Sequence, residues 1–417
     1  MSASPQRLVA ALDLGSSRIA AVIAEATGDA RTTGARILGV GHEKSAGIRR
    51  GVVRDMEDAT GAITRAMKNA ERMAGVEVGA VYCGIAGEHV AGRSSHGMVS
   101  VTSDEIRTGD VARVNDMASN VSFGRDHELL HAIPQDYIID QQPGISEPIG
   151  MSGSRLEAEV YLVTVLSSSI LNLRKCVERA GYSAAEFVLE PLAASLAVLT
   201  SDERELGCAI VELGAGSTNV AIFHGGRIRH TGSIMMAGGH VSGDIVYGLQ
   251  VTQQDAEKLK ERSGSAYEPL VPENDIIELP GTPGQGVRTA HRRVLAHIMH
   301  KRMEEILQYA LDEISQAGYH QRLPAGVVLT GGGALTPGII ELGREIFAMP
   351  VRVGTPGQGL TGLADSVESP RQAVLAGLAL YGARQVASGS AFGAGARRSQ
   401  SMERYLGPVK RWLQDFF

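Results

Sequence analysis

The sequence has few cysteines, few aromatic residues and no long apolar run. Only 3 cysteines occur among its 417 residues, and Cys83, Cys176 and Cys208 lie far apart in apolar stretches. We therefore predict buried free thiols in a reducing cytosol, rather than disulfides or a cysteine-based metal site. No apolar stretch approaches the roughly 20 residues that a membrane-spanning helix needs, and the small, polar first residues do not form a secretory signal. We expect a cytoplasmic protein.

The sequence also lacks the basic and aromatic surfaces typical of nucleic-acid binding. Its formal net charge is -6 and only 4% of its residues are aromatic, so we expect no nucleic-acid partner. Glycine is abundant instead, with 51 residues, and 43% of the chain is hydrophobic. This composition indicates aliphatic sheets with many glycine-containing turns. The length predicts two to four domains.

A strand–turn–strand unit occurs twice in the chain. The first copy has an apolar strand at 8–14, a Gly/Ser turn and a second strand at 19–24. Its sequence at 11–17, ALDLGSS, is similar to IVELGAG at 210–216, which also leads into a strand. The duplication predicts two similar lobes, each beginning with a β-hairpin.

Both turns carry residues suited to binding phosphate. The backbone N–H groups of a tight turn can bind phosphate oxygens, and glycine lets the main chain approach them closely. Asp13 could hold Mg²⁺ through water, and Arg18 could neutralise phosphate charge. One such turn alone is more often an ordinary hairpin, but two matching turns indicate a clamp around a triphosphate and its metal. The candidate residues are Asp13, Gly15, Ser16, Ser17 and Arg18 in the first turn, and Glu212, Gly214, Gly216, Ser217 and Thr218 in the second.

A third glycine motif follows a predicted strand at 327–329. Gly331, Gly332 and Gly333 would let the main chain lie flat against a bulky ligand. A lone triple glycine can be simply a flexible turn. Here it lies at a strand-to-helix junction, which is where α/β proteins usually bind ligands.

Together these motifs resemble the phosphate-1, phosphate-2 and adenosine motifs of the actin/Hsp70/sugar-kinase superfamily. Within it, the chain resembles the FtsA family of bacterial cell-division proteins, as in HAIPQDYIID at 131–140, EPIGMSG at 147–153, DERELG at 202–207 and AGVVLTGG at 325–332. The resemblance implies an α/β, actin-like two-lobed fold with a nucleotide cleft, an FtsA-type inserted subdomain and a C-terminal amphipathic helix. It also implies ATP and Mg²⁺ as ligands, with Asp13 and Glu212 near the metal.

The same resemblance implies three further site residues. Glu257 and Lys260, three apart on a predicted helix, would lie around the nucleoside, although such a pair can also be a solvated helix face. Glu190 could orient water for hydrolysis, or it could simply be a carboxylate favoured by the helix N-terminus that follows it. The family often has Asp where this chain has Glu212, so the contact of that longer side chain with metal or water stays open, as does ATP turnover.

We divide the chain on these patterns and on the resemblance. The predicted regions are 1–88 and 166–199 as the core of lobe 1 (subdomain 1A), 89–165 as an inserted assembly subdomain (1C), 200–240 and 310–386 as the core of lobe 2 (2A), 241–309 as subdomain 2B, 387–402 as a flexible linker, and 403–417 as a membrane-targeting helix.

The C-terminal segment has the pattern of an amphipathic helix. Its apolar residues form one helical stripe, it contains the only Trp of the chain, and basic residues flank the stripe. We predict that it binds anionic lipid on the inner face of the membrane. The alternative is a terminal helix packed on the protein's own body. The candidate membrane residues are Tyr405, Leu406, Val409, Lys410, Arg411, Trp412, Leu413, Phe416 and Phe417.

By the same resemblance, the chain would anchor filaments of the tubulin-like protein FtsZ to the cytoplasmic membrane at the division site. It would self-assemble and recruit later division proteins. The FtsZ C-terminal tail would bind subdomain 2B, and we take a basic helix start as its candidate site: Arg292, Arg293, Lys301 and Arg302. Two other functions are weighed, a type IV pilus inner-membrane actin-like protein and a small-molecule kinase of the superfamily. The quoted stretches fit the first less well, and the second would leave the C-terminal helix unexplained.

Overall fold

The computed structural model describes residues 7–29, 32–124, 126–280 and 286–388. Over these residues the chain forms two α/β lobes, and a separate small sheet is inserted into the first lobe. The first part of lobe 1 contains β1 (Leu8–Leu14), β2 (Arg18–Thr27), β3 (Gly34–Lys44), β4 (Ile48–Arg49), β5 (Val52–Val53), α1 (Met56–Ala74) and β6 (Ala80–Ile85).

Strands β1 and β2 form the predicted hairpin, in register from Leu8↔Glu25 to Leu14↔Ile19. Helix α1 begins where the Asp55 carboxylate accepts a hydrogen bond from the Asp58 N–H, and it ends at Gly75 in a left-handed conformation. The helix packs on β3, where Gly41 leaves room for it: a Cβ there would lie 1.9 Å from the Ala66 carbonyl oxygen. This contact covers one face of the lobe 1 sheet with apolar side chains.

The inserted sheet follows β6. Its elements are β7 (Val90–Ser100), α2 (Thr108–Ser119), β8 (His127–Ile139), β9 (Gln142–Ile145) and β10 (Arg155–Leu166), with the strands in the order β7-β10-β8-β9. Helix α2 packs on this sheet around a small core of its own. The charged stretch at 104–119 is helical only from Thr108 onward.

The chain then completes lobe 1 and enters lobe 2. The elements of this part are α3 (Ser167–Arg179), β11 (Ser183–Leu189), α4 (Glu190–Val198), α5 (Ser201–Leu206), β12 (Cys208–Leu213), β13 (Thr218–His224), β14 (Arg227–Ile234), α6 (Gly238–Leu249) and α7 (Gln253–Ser263). Strands β12 and β13 form the second predicted hairpin, from Cys208↔Phe223 to Leu213↔Thr218.

The last part contains β15 (Ile276–Leu279), β16 (Arg288–His291), α8 (Arg292–Gln316), β17 (Val327–Thr330), α9 (Ile339–Phe347), β18 (Val351–Val353), β19 (Leu360–Gly362) and α10 (Ala373–Ala387). The stretch at 267–286, which is rich in Pro, Glu and Gly, contains one strand of the β15–β16 hairpin. Helix α8 begins at Arg292, and its buried face keeps helical spacing from Leu295 through Met299 and Met303 to Ile314.

Each lobe is built on one mixed sheet. The lobe 1 sheet has the order β11-β6-β1-β2-β3-β19, and the lobe 2 sheet has the order β14-β13-β12-β17-β18. Helix α10 packs on α4, β1 and β2 of lobe 1, and α4 in turn packs on β12 and β13 of lobe 2. One apolar core therefore includes residues of both lobes. The three cysteines are free and buried, as predicted.

The inserted sheet also contacts lobe 2. Asp136 on β8 pairs with two arginines of β14, Arg227 at 2.5 Å and Arg229 at 2.8 Å. Nearby, the Tyr161 hydroxyl accepts a hydrogen bond from the Thr231 N–H at 2.8 Å. The region boundaries drawn from the sequence stay a prediction.

Candidate functional site

The two lobes enclose a cavity of about 440 Å³. Its walls contain all three glycine motifs. They also contain the two acidic strand ends, Glu190 and the Glu257/Lys260 pair. The lining residues include Asp13, Gly15, Ser16, Ser17, Arg18, Gly51, Glu190, Glu212, Gly214, Gly216, Ser217, Thr218, Asn219, Gly238, Glu257, Lys260, Glu261, Met299, Met303, Ile306, Gly331, Gly332, Gly333 and Arg371.

The two turns that follow β1 and β12 have matching geometry. A Cβ on Gly15 would lie 2.7 Å from the Arg18 carbonyl oxygen, and a Cβ on Gly214 would lie 2.6 Å from the Ser217 carbonyl oxygen. In the second turn, the Gly214 N–H donates to that Ser217 oxygen at 3.1 Å. Glycine is thus needed at the same place in both turns.

The turns meet in the cleft. A Cβ on Gly216 of lobe 2 would lie 2.3 Å from Ser16 Oγ of lobe 1. The N-terminus of α6 holds the second turn from behind, because the N–H groups of Gly238 and Gly239 donate to the carbonyl oxygens of Gly214 and Ala215 at 3.0 and 2.9 Å. Backbone from both lobes can therefore contact one bound group.

Three carboxyl groups line the same cavity and repel one another. Burial raises the pKa of Asp13 to about 6, with Arg18 opposing the shift. Burial and the Asp13 carboxylate raise the pKa of Glu212 to about 7, while a hydrogen bond from Asn219 at 3.2 Å opposes this shift. The pKa of Glu190 is raised well above its usual range by burial, then by Glu212 and Asp13.

Such a cluster gains stability from a bound cation, which would relieve the repulsion between the carboxylates. Among the residues that the structure describes, however, no group of three or more His, Cys, Asp or Glu side chains is arranged to hold a metal ion directly. The arrangement fits a hydrated divalent cation carried in on an anionic ligand.

Two cationic side chains flank this cluster. The Arg18 guanidinium donates to the Arg371 carbonyl oxygen and to Gln372 Oε1, both at 3.0 Å. Lys260 pairs with Glu257 at 2.6 Å and donates to Ser242 Oγ at 2.7 Å. The Glu257/Lys260 pair is therefore part of the cavity wall rather than a fully solvated helix face.

The third glycine motif follows β17 directly, and its second and third glycines begin a short 3₁₀ helix at Gly332–Leu335. Gly331 has a φ of 81°, and a Cβ there would lie 2.7 Å from the Leu213 carbonyl oxygen. The motif packs directly on the end of β12, just before the second turn. It provides a flat, side-chain-free wall on the lobe 2 side of the cavity.

Sequence reasoning missed several lining residues. Met299, Met303 and Ile306 of α8 line the cavity with apolar side chains. Arg371 reaches the cavity from a short 3₁₀ helix, Pro370–Gln372, and pairs with Glu261 at 3.1 Å. None of these residues lies in a recognisable motif, and only the tertiary fold brings them to the cleft.

The four basic residues proposed for the FtsZ tail all have acidic partners within the chain. Arg292 pairs with Asp275 at 2.9 Å, Arg293 with Glu268 and Glu273, Lys301 with Glu304 at 2.9 Å, and Arg302 with Asp244 and Glu305. An acidic ligand would have to displace these carboxylates.

The proposed membrane residues at 405–417 and nearly all of the proposed linker lie outside the described residues. Within the part of the chain that the structure does describe, no helix is both long and apolar enough to cross a membrane.

Comparison with known proteins places the chain in a family. A family model described as "Cell division protein FtsA" matches residues 209–377, and one described as "SHS2 domain inserted in FTSA" matches residues 87–164. The cell division protein FtsA of Pseudomonas aeruginosa is 37% identical over 99% of this chain and 98% of its own length. The chain belongs to the FtsA family of cell-division proteins. The FtsA proteins of Escherichia coli K12 and Neisseria meningitidis serogroup B are 34% and 35% identical, covering 100% and 99% of this chain and of their own lengths.

The fold comparison agrees with the FtsA assignment. The structure of the PilM–PilN type IV pilus biogenesis complex aligns with a TM-score of 0.63 and 15% identity, covering 89% of this chain and 98% of that chain. MreB5 of Spiroplasma citri bound to ADP aligns with a TM-score of 0.53 and 15% identity, covering 90% and 95%. The predicted family and the predicted actin-like fold with an inserted subdomain are confirmed. At 15% identity the pilus protein is similar in fold alone, whereas the FtsA relatives match the sequence along its whole length.

Proposed function

We propose that this FtsA-family protein binds ATP with Mg²⁺ in the cleft between its lobes. The observation that carries the proposal is the meeting of the two glycine turns, with Gly216 against Ser16. A triphosphate placed there would receive backbone N–H groups from both lobes and positive charge from Arg18. Asp13 and Glu212 would hold magnesium through water, and the metal would neutralise phosphate charge.

The base and ribose would lie along the remaining walls. The 331–333 backbone offers a flat surface, and Met299, Met303 and Ile306 offer an apolar one. Glu257 can accept hydrogen bonds from ribose hydroxyls, while Lys260 holds it in place. A nucleotide-bound relative in fold, MreB5 with ADP, makes an adenine nucleotide a natural ligand for this cavity.

Glu190 is our candidate for orienting water during hydrolysis. It is the first residue of α4, half-buried in the cavity wall, and a Cβ on Gly84 would lie 3.1 Å from its Cγ. Its raised pKa suits a group that accepts a proton from water near neutral pH. It can act in this way only once bound magnesium has relieved the repulsion from the other two carboxylates.

At the cellular scale, we propose that the protein anchors FtsZ filaments to the cytoplasmic membrane at the division site. The stripe from Tyr405 to Phe417 would bind anionic lipid, and the segment at 387–402 would link it to the lobes. The inserted subdomain would serve self-assembly and the recruitment of later division proteins. Its own core and separate sheet support this, since it can present a surface away from the cleft.

The FtsZ tail would bind subdomain 2B at 241–309. Of the four basic candidates, Arg293 and Lys301 are the more exposed and could exchange their partners for the carboxylates of an acidic tail. Arg302 is held by both Asp244 and Glu305 on a less exposed surface, so we expect it to contribute less.

Bridging of FtsZ to lipid tests this role. Fluorescent FtsZ filaments should sediment with anionic vesicles only when the full chain and ATP are present. A chain ending at Ser388 should bind FtsZ without delivering it to vesicles. If the shortened chain recruits FtsZ to vesicles as well as the full chain does, the anchoring role assigned to the C-terminal segment is wrong.

A further inference from the structure

Beside the two glycine turns, Arg50 of lobe 1 meets His240 of lobe 2. This residue lies at the tip of the β4–β5 hairpin, which pairs Arg49 with Val52. Arg50 and Gly51 have φ values of 53° and 72°. Two positive φ values in a two-residue hairpin indicate a type I′ turn, where Asn, Asp and Gly are the usual residues. Arginine is therefore conformationally costly here, and such outliers cluster at functional sites.

The Arg50 backbone is fixed against the first phosphate turn. Its N–H donates to Ser16 Oγ at 2.8 Å, and a Cβ on Gly216 would lie 3.1 Å from its nitrogen. Gly51, the next residue, lines the cavity, and a Cβ there would lie 2.1 Å from the Ala86 carbonyl oxygen. These contacts hold the backbone of the hairpin tip at the junction of the lobes.

The Arg50 side chain crosses to lobe 2. Its Nη2 lies 3.1 Å from Nε2 of His240, at the start of α6. The other ring nitrogen of His240, Nδ1, lies 3.2 Å from the Ala237 backbone nitrogen, where it can accept the Ala237 N–H. Both ring nitrogens therefore face groups that can only donate hydrogen bonds.

An imidazole cannot satisfy both neighbours. A neutral ring has one acceptor nitrogen and one N–H, and a protonated ring has two N–H groups. When Nδ1 accepts the Ala237 N–H and caps α6, Nε2 carries hydrogen and points at the guanidinium of Arg50. Two donors then converge at 3.1 Å with no acceptor between them.

We propose that Arg50 and His240 together bind a phosphoryl group, the terminal phosphate of the nucleoside triphosphate held by the two turns. An anionic oxygen between them would accept from both donors and turn a repulsive contact into a bridge between the lobes. A nucleoside diphosphate lacks this terminal phosphate, so it would not bridge Arg50 and His240. Closure of the lobes would then depend on which nucleotide is bound. This inference rests on the proposed nucleotide site.

The same donors could also receive free inorganic phosphate, since the chemistry is identical. Three ligands distinguish the terminal phosphate of a nucleotide from free phosphate. Magnesium with the non-hydrolysable β,γ-imido analogue of ATP tests the terminal phosphate, ADP tests its absence, and inorganic phosphate alone tests the free ion.

The decisive comparison uses Arg50→Asn in the full chain, because asparagine suits a type I′ turn and lacks the guanidinium. Calorimetry should show the ATP analogue binding at least about tenfold more weakly than to wild type, and ADP changing by less than about threefold. The matched control is Arg49→Asn, which removes the same charge from the neighbouring exposed position and should leave both affinities unchanged.

A second pair of variants tests His240. Asparagine keeps an acceptor near the Nδ1 position but has nothing at Nε2, so His240→Asn should repeat the selective loss of the ATP analogue. Glutamine reaches the Nε2 position, so His240→Gln should retain more of the affinity than His240→Asn. This order would not follow if His240 served only to cap α6, since asparagine is then the better replacement.

For free phosphate, the readout is the midpoint of thermal unfolding. If the pair also holds the free ion, phosphate alone should raise the midpoint of wild type but not that of Arg50→Asn. If Arg50 and His240 do not bind free phosphate, only the ATP analogue should raise the midpoint of wild type more than that of Arg50→Asn.

Several results would overturn the inference. Equal weakening of ADP and the ATP analogue by Arg50→Asn, no weakening of either, or the same selective loss in Arg49→Asn would each do so. If wild type binds both nucleotides, these results leave the proposed function standing. If wild type binds neither nucleotide, the proposed function is wrong and this inference fails with it.

Discussion

The carboxyl groups of Asp13, Glu190 and Glu212 lie together in the cleft, and burial raises the pKa of all three. Two of them come from the matched strand ends of the duplicated unit, and the third from the start of α4. One carboxylate oxygen of Glu212 accepts a hydrogen bond from the buried Asn219 at 3.2 Å. We expect the other oxygen to face water or a hydrated metal.

Replacing Glu190 by glutamine separates binding from turnover. Glu190→Gln keeps the size of the side chain and removes the group that can accept a proton from water. We expect ATP affinity within a few fold of wild type and an ATP hydrolysis rate reduced about 100-fold, the usual scale for losing a general base. Phosphate release measured at saturating ATP checks this. Unchanged hydrolysis in the variant would exclude Glu190 from the reaction.

The carboxyl group of Glu186, which lies outside the cleft, should make the free energy of unfolding depend on pH. It accepts a hydrogen bond from the Tyr381 hydroxyl at 2.7 Å, and burial raises its pKa from 4.5 to about 6. Because the folded-state value is the higher one, its contribution to stability is present below about pH 4.5 and is lost as pH rises through about 6. Glu186→Gln should therefore gain in free energy of unfolding relative to wild type between about pH 4.5 and about pH 7.

Urea unfolding of the two proteins across that pH window measures the difference. The control is Glu88→Gln, which removes an exposed carboxylate of the same lobe and should keep a constant offset from wild type. A constant offset for Glu186→Gln as well would show that its carboxyl group titrates normally in the folded protein.

At the scale of elements, the sequence predicts what is local or repeated. The two hairpins and the 331–333 motif follow from turn residues and duplication. Strand β14, helix α6 and helix α10 were not predicted. Helix α10 is buried nearly all round, so it shows no amphipathic stripe, and α6 contains four glycines that disfavour a helix assignment. Arg50 and His240 were missed for a related reason, since only the fold brings them together.

The contact between the inserted sheet and β14 was also not predicted. Its contribution to stability can be tested. Asp136 bridges Arg227 and Arg229, whose side chains are only 9% and 17% exposed. Asp136→Asn should lower the free energy of unfolding by about 1–3 kcal/mol, because two poorly solvated arginines lose their counter-charge. Denaturant unfolding measures the loss.

The control for Asp136 is an exposed ion pair, Arg65 with Glu43 at 3.2 Å. Arg65→Gln should change stability by less than about 1 kcal/mol, as surface pairs usually do. If the two variants lose the same amount, the interlobe pair is no stronger than a surface pair, and the insert is not held on lobe 2 by these residues.

At the scale of the whole molecule, weak membrane binding and self-assembly should reinforce each other. A short interfacial helix inserts its apolar residues only in part and must be ordered by the lipid, so one copy binds reversibly. Linking many copies in a filament raises their effective concentration at the surface. Trp412→Glu should release the protein from anionic vesicles without changing its ATP affinity.

The coupling itself is tested with an assembly-defective variant that keeps the C-terminal segment. Deleting the inserted subdomain alone would expose its contact with β14, so point changes on the outer face of the insert are preferable. Such a variant should bind vesicles much more weakly than wild type in co-sedimentation. Equal binding by the two proteins would show that a single C-terminal segment suffices for attachment.

The central claim is that two lobes clamp one nucleotide between matching glycine turns. Gly214→Asp tests it most directly, because it places a carboxylate in the second turn, where a Cβ already lies 2.6 Å from the Ser217 oxygen. Its control is Gly357→Asp, an exposed position with open space around it. Calorimetry with Mg²⁺ and ATP should show no binding to folded Gly214→Asp and normal binding to Gly357→Asp. Wild-type ATP affinity in a folded Gly214→Asp protein would contradict the account.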